Sequence, residues 1–205
     1  MVRQNNSEIH PATPPIVKNQ IHGSVMNLPN FLTIIRVVLI PFFIFFFSIA
    51  SRGSAMIAAV IFLVASLTDL LDGYLARRRK EVTQFGKFLD PVADKLLIVS
   101  ALILLVANGR VPAWIAIIII GREFAVTAFR AIASSEGVII AAEGTGKYKM
   151  FLQTVAMIFL IPDFSSPTFH RIGLSFLLVA TALAIYSAVQ YFIKFGRQVN
   201  LMKVK

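Results

Sequence analysis

Residues 69–94 read DLLDGYLARRRKEVTQFGKFLDPVAD. Asp69, Asp72, Asp90 and Asp94 lie inside it, spaced D-x-x-D-G-x-x-A-R, then eight residues, then G-x-x-x-D-x-x-x-D. The segments on either side, VIFLVASLT and KLLIVSALILLVA, are apolar enough for hydrocarbon. Carboxylates are costly there and persist mainly where they perform a task. The chain has only ten acidic residues, so four of them in one stretch mark it as the functional centre.

Working outward, the whole chain has the same character. It has 205 residues, 57% of them hydrophobic, with a mean hydropathy of +0.78. A soluble domain of this length could not hide so much apolar side chain. Predominantly apolar runs of about 18 residues or more read as membrane spans. Six are expected, at 31–50, 54–77, 86–107, 111–133, 147–162 and 172–193. The fold expected is therefore all-α and integral to a membrane, with six transmembrane helices and a short N-terminal interfacial helix. Residues 1–26 read as a disordered arm: His10-Pro11 and Pro14-Pro15 oppose regular structure, and no apolar run suggests a signal peptide. Residues 27–196 form the membrane domain and 197–205 a basic tail. The absence of cysteine excludes disulfides and thiolate metal sites. No internal repeat, P-loop, G-x-S-x-G or dinucleotide fingerprint is present.

A net charge of +10 could attract nucleic acid, but its distribution points to membrane orientation instead. Arg77, Arg78, Arg79, Lys80 and Lys87 flank one loop, and Lys147 and Lys149 follow another. Arg3 and Lys18 begin the chain, and Lys194, Arg197, Lys203 and Lys205 end it. The alternate loops carry only Arg52, Arg110 and Arg171. The positive-inside rule then places both termini and the Asp-rich loop on the cytoplasmic side. Such a basic face also favours anionic membrane lipids, not nucleic acid, as neighbours.

Helical spacing gathers the aspartates. Asp69, Asp72, Gly73 and Ala76 share one face of the second span, and Gly86, Asp90 and Asp94 one face of the third. The connection at 78–85 is short, so the two spans should be antiparallel neighbours. Four converging carboxylates repel unless a cation lies between them. Hard oxygen donors select Mg²⁺ or Mn²⁺, and a two-ion site suits phosphoryl or nucleotidyl displacement. Two other readings stay open on spacing alone. The aspartates could serve as proton-relay or ion-pathway groups, or could pair structurally with Lys87, Lys95 and Arg77.

The eight fixed residues from Asp69 to Asp94 match, at every position, the signature of the CDP-alcohol phosphatidyltransferase family, which this chain resembles from Asn27 onward. The opening NLPNFLTIIRVVLIPFFIF, GREFAVTAFRA in the fourth span, GTGKYKMFLQ at the fifth and YSAVQYF in the last resemble the bacterial branch that uses sn-glycerol 3-phosphate. Ala131 and Met150 depart from that branch's usual acidic residue and threonine. The resemblance implies a homodimeric enzyme of the bacterial inner membrane with a cytoplasm-facing site. It implies a phosphatidyl group passing from CDP-diacylglycerol to glycerol 3-phosphate, with release of CMP. It also implies two divalent ions on Asp69, Asp72, Asp90 and Asp94, with Asp94 as general base. The alternatives are inositol phosphate or serine as acceptor, or a non-enzymatic ion-coupled carrier, which has no evident need for Gly73, Ala76, Arg77 and Gly86 at these offsets.

Further roles follow from the resemblance, each beside a plainer reading. Asp94 could be a fourth metal ligand only. Gly73 and Arg77 fit the nucleotide side, although Gly73 could merely allow close helix packing. Thr83 is a nucleotide candidate or a solvated loop residue. Asn30, Thr33 and Arg36 lie near the CDP moiety, or cap and snorkel at an interfacial segment over 27–35 led by Pro29. Arg122, Lys147, Arg130 and Lys149 are the cations for the acceptor phosphate, in that order; for Arg130 and Lys149 the alternative is positive-inside anchoring. Glu123 reads as a residue that orients an arginine. Trp114 reads as an interface anchor, Phe42 to Phe47 as a lipid-facing or packing run, and His10, His22 and His170 form no ligand spacing.

Overall fold

The computed structural model describes the backbone of residues 28–79, 84–135, 145–162, 164 and 166–203. Side chains are described over 31–69, 71, 92, 93, 95–134, 148–162, 164 and 166–196. The expected arm at 1–26 and Thr83 lie outside these residues. Among the described residues the chain is entirely helical: α1 Leu28–Ser48, α2 Arg52–Arg79, α3 Gln84–Ala107, α4 Ala113–Ser135, α5 Thr145–Leu160 and α6 Pro167–Lys203. Each expected span coincides with one helix. Three helices contain windows long and apolar enough to cross a membrane: Phe31–Ser48, Arg52–Asp69 and Pro167–Gly196. In α4 the charged residues Arg122, Glu123 and Arg130 interrupt the apolar run. Among the described residues of α3 and α5, the apolar stretches are Lys95–Ala107 and Tyr148–Leu160.

The expected interfacial helix is not a separate element. α1 runs unbroken from Leu28 through 35 into the first span, because nothing after Pro29 interrupts it before Pro41. Its 21 residues are about 30 Å long at the α-helical rise, close to the hydrocarbon thickness, so no length is left for a distinct interfacial turn. α6 likewise continues to Lys203, through the stretch expected as a tail.

The packing follows a three-four spacing. α1 buries Thr33, Arg36, Ile40, Phe43 and Phe47, and α2 buries Ala55, Ala58, Phe62 and Ala65. The rings of Phe43 and Phe62 meet 5.8 Å apart. Alanines along α2 let the helix backbones approach closely, the usual device where lipid supplies no hydrophobic drive between helices. α3 packs against both α1 and α4, while α6 lies against α4 and α5. One core joins Phe43, Phe62, Leu102, Leu105, Ile115, Met157 and Leu177. The outside is also apolar: Phe45, Ile117, Phe124 and Phe151 are each more than 60% exposed, as a bundle bathed in lipid requires. The phenylalanine run thus divides, with Phe43 and Phe47 inside and Phe42 and Phe45 outside. Trp114 lies exposed in the first turn of α4.

The end of the bundle away from the aspartates is tied by Arg110. Its Nη1 donates to the carbonyls of Leu160 at 3.1 Å and Ile161 at 2.7 Å, closing the C-terminus of α5 with a cation. The guanidinium also sits 5.6 Å over the Phe47 ring of α1. Gly109 presents Arg110 there. Arg110 N donates to Leu105 O and Gly109 N to Val106 O, both at 2.9 Å, and Gly109 takes φ 67°, a glycine C-cap of Schellman type. Gly173 has the opposite reason to be glycine: a Cβ would lie 2.8 Å from Leu160 Cγ and 3.0 Å from Phe159 Cβ. Gly109→Ala should therefore cost about 1 kcal/mol, from backbone strain alone. Gly173→Val should lower the detergent melting temperature further, because it forces α5 and α6 apart. Equal melting temperatures for the two variants would contradict this packing.

Candidate functional site

The buried stripe of α2 runs from Ala55 to Ala65 and, on the same spacing, reaches Asp69. The stripe of α1 likewise ends in polar residues, Arg36 and Thr33, both fully buried. Because α1 and α2 are antiparallel, one step of seven residues from the Phe43–Phe62 contact brings Arg36 opposite Asp69. Arg36 Nη1 lies 2.8 Å from Asp69 Oδ1. The Asp69 side chain is 26% exposed and that of Arg36 not at all. The snorkelling alternative for Arg36 therefore fails. Its stripe position turns it into the α1–α2 seam, where a carboxylate offsets the cost of a charge in an apolar bundle.

A carboxylate offers about four lone-pair positions, so the Arg36 contact does not by itself exhaust the coordinating capacity of Asp69. A partly exposed aspartate in the second half of α2 suits a hard divalent cation. Position 72 lies three residues farther along α2, and positions 90 and 94 lie in the first half of α3, which contacts α2. The side chains of Asp72, Gly73, Arg77, Asp90 and Asp94 lie outside the described residues, as do those of Asn30 and Lys147. Among the described residues no three acidic or imidazole side chains gather as a metal cluster.

A second polar cluster joins α4, α5 and α6. Glu123 Oε1 accepts from Arg122 Nη1 at 2.9 Å and also from Lys149 Nζ. Arg122 is held on two further sides: Nε donates to Ala184 O at 3.2 Å, and Nη2 to Ser187 Oγ at 2.9 Å. Lys149 is only 2% exposed, which excludes surface anchoring as its role. The structure thus brings together Arg122 and Lys149, with Glu123 between them. It does not bring in Arg130, which is exposed two turns farther along α4.

α3 connects the two regions. Lys95, next in sequence to Asp94, donates from Nζ to Thr127 Oγ1 at 2.6 Å, and Thr127 Oγ1 donates to Glu123 O at 2.7 Å. The helix that carries Asp90 and Asp94 is thereby tied to the helix that carries Arg122. Sequence reasoning missed Thr127 and Ser187, and treated Lys95 only as a possible ion-pair partner. The available signal was weak: hydroxyl groups within apolar runs at helical spacing, a pattern shared by many residues without such partners, including Thr181, which bonds only its own helix at Leu177 O.

The described side chains thus form two polar groups, the Arg36–Asp69 pair between α1 and α2 and the Arg122–Glu123–Lys149 group among α4, α5 and α6. A family model described as CDP-alcohol phosphatidyltransferase matches residues 26–190. The chain is similar to the CDP-diacylglycerol–glycerol-3-phosphate 3-phosphatidyltransferase of Bacillus subtilis (strain 168), 40% identical over 186 residues, covering 83% of this chain and 95% of the relative. It is 43% identical over 171 residues to the protein of the same name from Haemophilus influenzae, covering 80% and 91%. A protein of Mycobacterium tuberculosis (strain ATCC 25618 / H37Rv) named as a probable phosphatidylglycerophosphate synthase is 39% identical over 170 residues, covering 82% and 80%.

The Glu123–Lys149 pair has a measurable coupling. Lys149→Met should cost about 1–3 kcal/mol, seen as a lower melting temperature in detergent, because Glu123 loses a buried partner. The double variant with Glu123→Gln should lose less than the sum of the two single variants. Strict additivity would show that the pair is not coupled.

Proposed function

The chain belongs to the CDP-alcohol phosphatidyltransferase family, and we propose that it works as the CDP-diacylglycerol–glycerol-3-phosphate 3-phosphatidyltransferase of its membrane. The attacking hydroxyl of sn-glycerol 3-phosphate forms a new P–O bond at the phosphorus that carries diacylglycerol. The pyrophosphate P–O bond to CMP breaks, leaving phosphatidylglycerol phosphate. The observation that carries this reading is similarity at about 40% identity, across at least four-fifths of both chains, to proteins bearing that name. The complete aspartate motif on α2 and α3 supports it.

The chain's own residues divide the work. Asp69, Asp72, Asp90 and Asp94 supply the hard oxygen donors. These donors would hold two divalent cations, Mg²⁺ or Mn²⁺, which would supply positive charge to offset that of the donor's pyrophosphate and of departing CMP. Asp94 takes the proton of the attacking hydroxyl. Arg36 restrains Asp69, and with Thr33 and Asn30 lines the approach of the CDP moiety from α1. Gly73, Arg77 and Thr83 complete the nucleotide side, with Arg77 positioned for a phosphate. Arg122, Lys147 and Lys149 receive the acceptor's phosphate, and Glu123 keeps the two cations that it touches in place before that phosphate arrives. Arg130, apart from this group, serves in the approach of the anionic acceptor.

All six helices cross the bilayer in this reading, with charged residues of α3, α4 and α5 facing the interior rather than lipid. The distribution of lysine and arginine among the loops puts the termini and the site on the cytoplasmic side of a bacterial inner membrane. The active form is a homodimer surrounded by membrane lipids, its active sites served from the lipid face by CDP-diacylglycerol.

Purified protein in detergent, given CDP-diacylglycerol and Mg²⁺ or Mn²⁺, should release CMP with glycerol 3-phosphate and not after addition of EDTA. Asp90→Asn should lower turnover about 100-fold or more while the protein remains folded. Release with inositol 1-phosphate or serine instead would move the acceptor. No release from folded wild-type protein would overturn the assignment and favour the ion-coupled carrier.

A further inference from the structure

Gln153 Nε2 and Tyr191 OH are buried and have no hydrogen-bond partner among the described residues. Gln153 is 2% exposed and Tyr191 9%. A buried donor without an acceptor carries a desolvation penalty, and native proteins retain such groups sparingly. Both flank the Arg122–Glu123–Lys149 cluster. Gln153 follows Lys149 by four residues on α5, and Tyr191 follows Ser187 by four on α6, so each shares a helix face with a residue already in the cluster.

Helix direction turns both donors toward the cluster from opposite sides. α6 runs parallel to α4: Arg122 bonds Ser187, and one heptad farther along α4 the ring of Phe129 meets that of Phe195. α5 runs against α4: Lys149 lies opposite Glu123, and Leu160 opposite Arg110. Helical side chains lean toward their own N-terminus. Gln153, deeper in the bundle than Lys149, therefore leans back toward the cluster. Tyr191, beyond Ser187 in the opposite direction, leans back toward it as well. A group of cations is bracketed on both sides by idle hydrogen-bond donors.

The cations suit a phosphate, and the donors suit hydroxyl groups on the same small molecule. We infer that Gln153 and Tyr191 are specificity-determining residues for the acceptor, pairing the non-reacting hydroxyl of a hydroxylated phosphate ester whose phosphate is held by Arg122 and Lys149. The inference rests on the phosphatidyltransferase reading and adds to it the means by which the hydroxyl pattern is recognised. A site built to bond a hydroxyl discriminates strongly against an analogue lacking it, since its own polar groups then stay unpaired.

The test compares sn-glycerol 3-phosphate with 3-hydroxypropyl phosphate, which keeps the reacting hydroxyl and the phosphate but lacks the secondary hydroxyl. Wild-type protein should favour glycerol 3-phosphate by about 100-fold or more in kcat/KM. Tyr191→Phe and Gln153→Met should each raise the KM for glycerol 3-phosphate about tenfold and narrow that preference about tenfold. The KM for CDP-diacylglycerol should not change. Neither melting temperature should fall, because each substitution removes a polar atom that bonds nothing in the fold; a purely structural role would lower the melting temperature and spare the preference. Unchanged KM and preference in both variants, beside active wild-type protein, would overturn this inference alone. Wild-type protein inactive with glycerol 3-phosphate would overturn the functional assignment, and this inference with it.

Discussion

A charge inside an apolar helix bundle must meet an opposite charge or a set of hydrogen-bond partners, and this requirement organises the whole molecule. Arg36 is fully buried and is tolerated because Asp69 lies 2.8 Å away on the next helix. Arg122 is tolerated because Glu123, Ser187 and the Ala184 carbonyl surround its guanidinium. Lys149 shares the same carboxylate. The Arg36–Asp69, Lys149–Glu123 and Arg122–Ser187 contacts each join two helices, so the charged groups also hold the helices in register.

Apolar packing sets the frame in which those pairings are possible. The α1 and α2 stripes combine alanines with phenylalanines, which brings the backbones close at one level and fills the space at the next. The Phe43–Phe62 contact and the Arg36–Asp69 pair are two steps of one register. A shift of the apolar contact would therefore displace the ion pair as well. At the far end, Arg110 gathers α1, α3 and α5.

α3 joins the acidic and the cationic regions. It carries Asp90 and Asp94, and through Lys95 and Thr127 it reaches the helix that holds Arg122 and Glu123. The positions of Asp90 and Asp94 are thereby linked to α4 through one helix and a pair of side-chain contacts, so their separation from Arg122 does not depend on loops.

Much of this could be read without coordinates. Helices and their approximate limits follow from apolar run length. The family follows from Asp69, Asp72, Gly73, Ala76, Arg77, Gly86, Asp90 and Asp94, because metal and nucleotide chemistry tie residue type to helical spacing within a single short stretch. The partners of Arg36 and Lys149 do not follow from any such stretch. They depend on which helix faces which, and on register between segments as much as 65 residues apart, as for Arg122 and Ser187. Local spacing is blind to both. A solitary arginine in an apolar run reads equally well as a snorkelling residue or a binding residue, and a lysine near a helix end reads as an anchor. Burial and the opposing helix decided those cases, and they also exposed the idle donors of Gln153 and Tyr191, whose surroundings arise only when α4, α5 and α6 assemble.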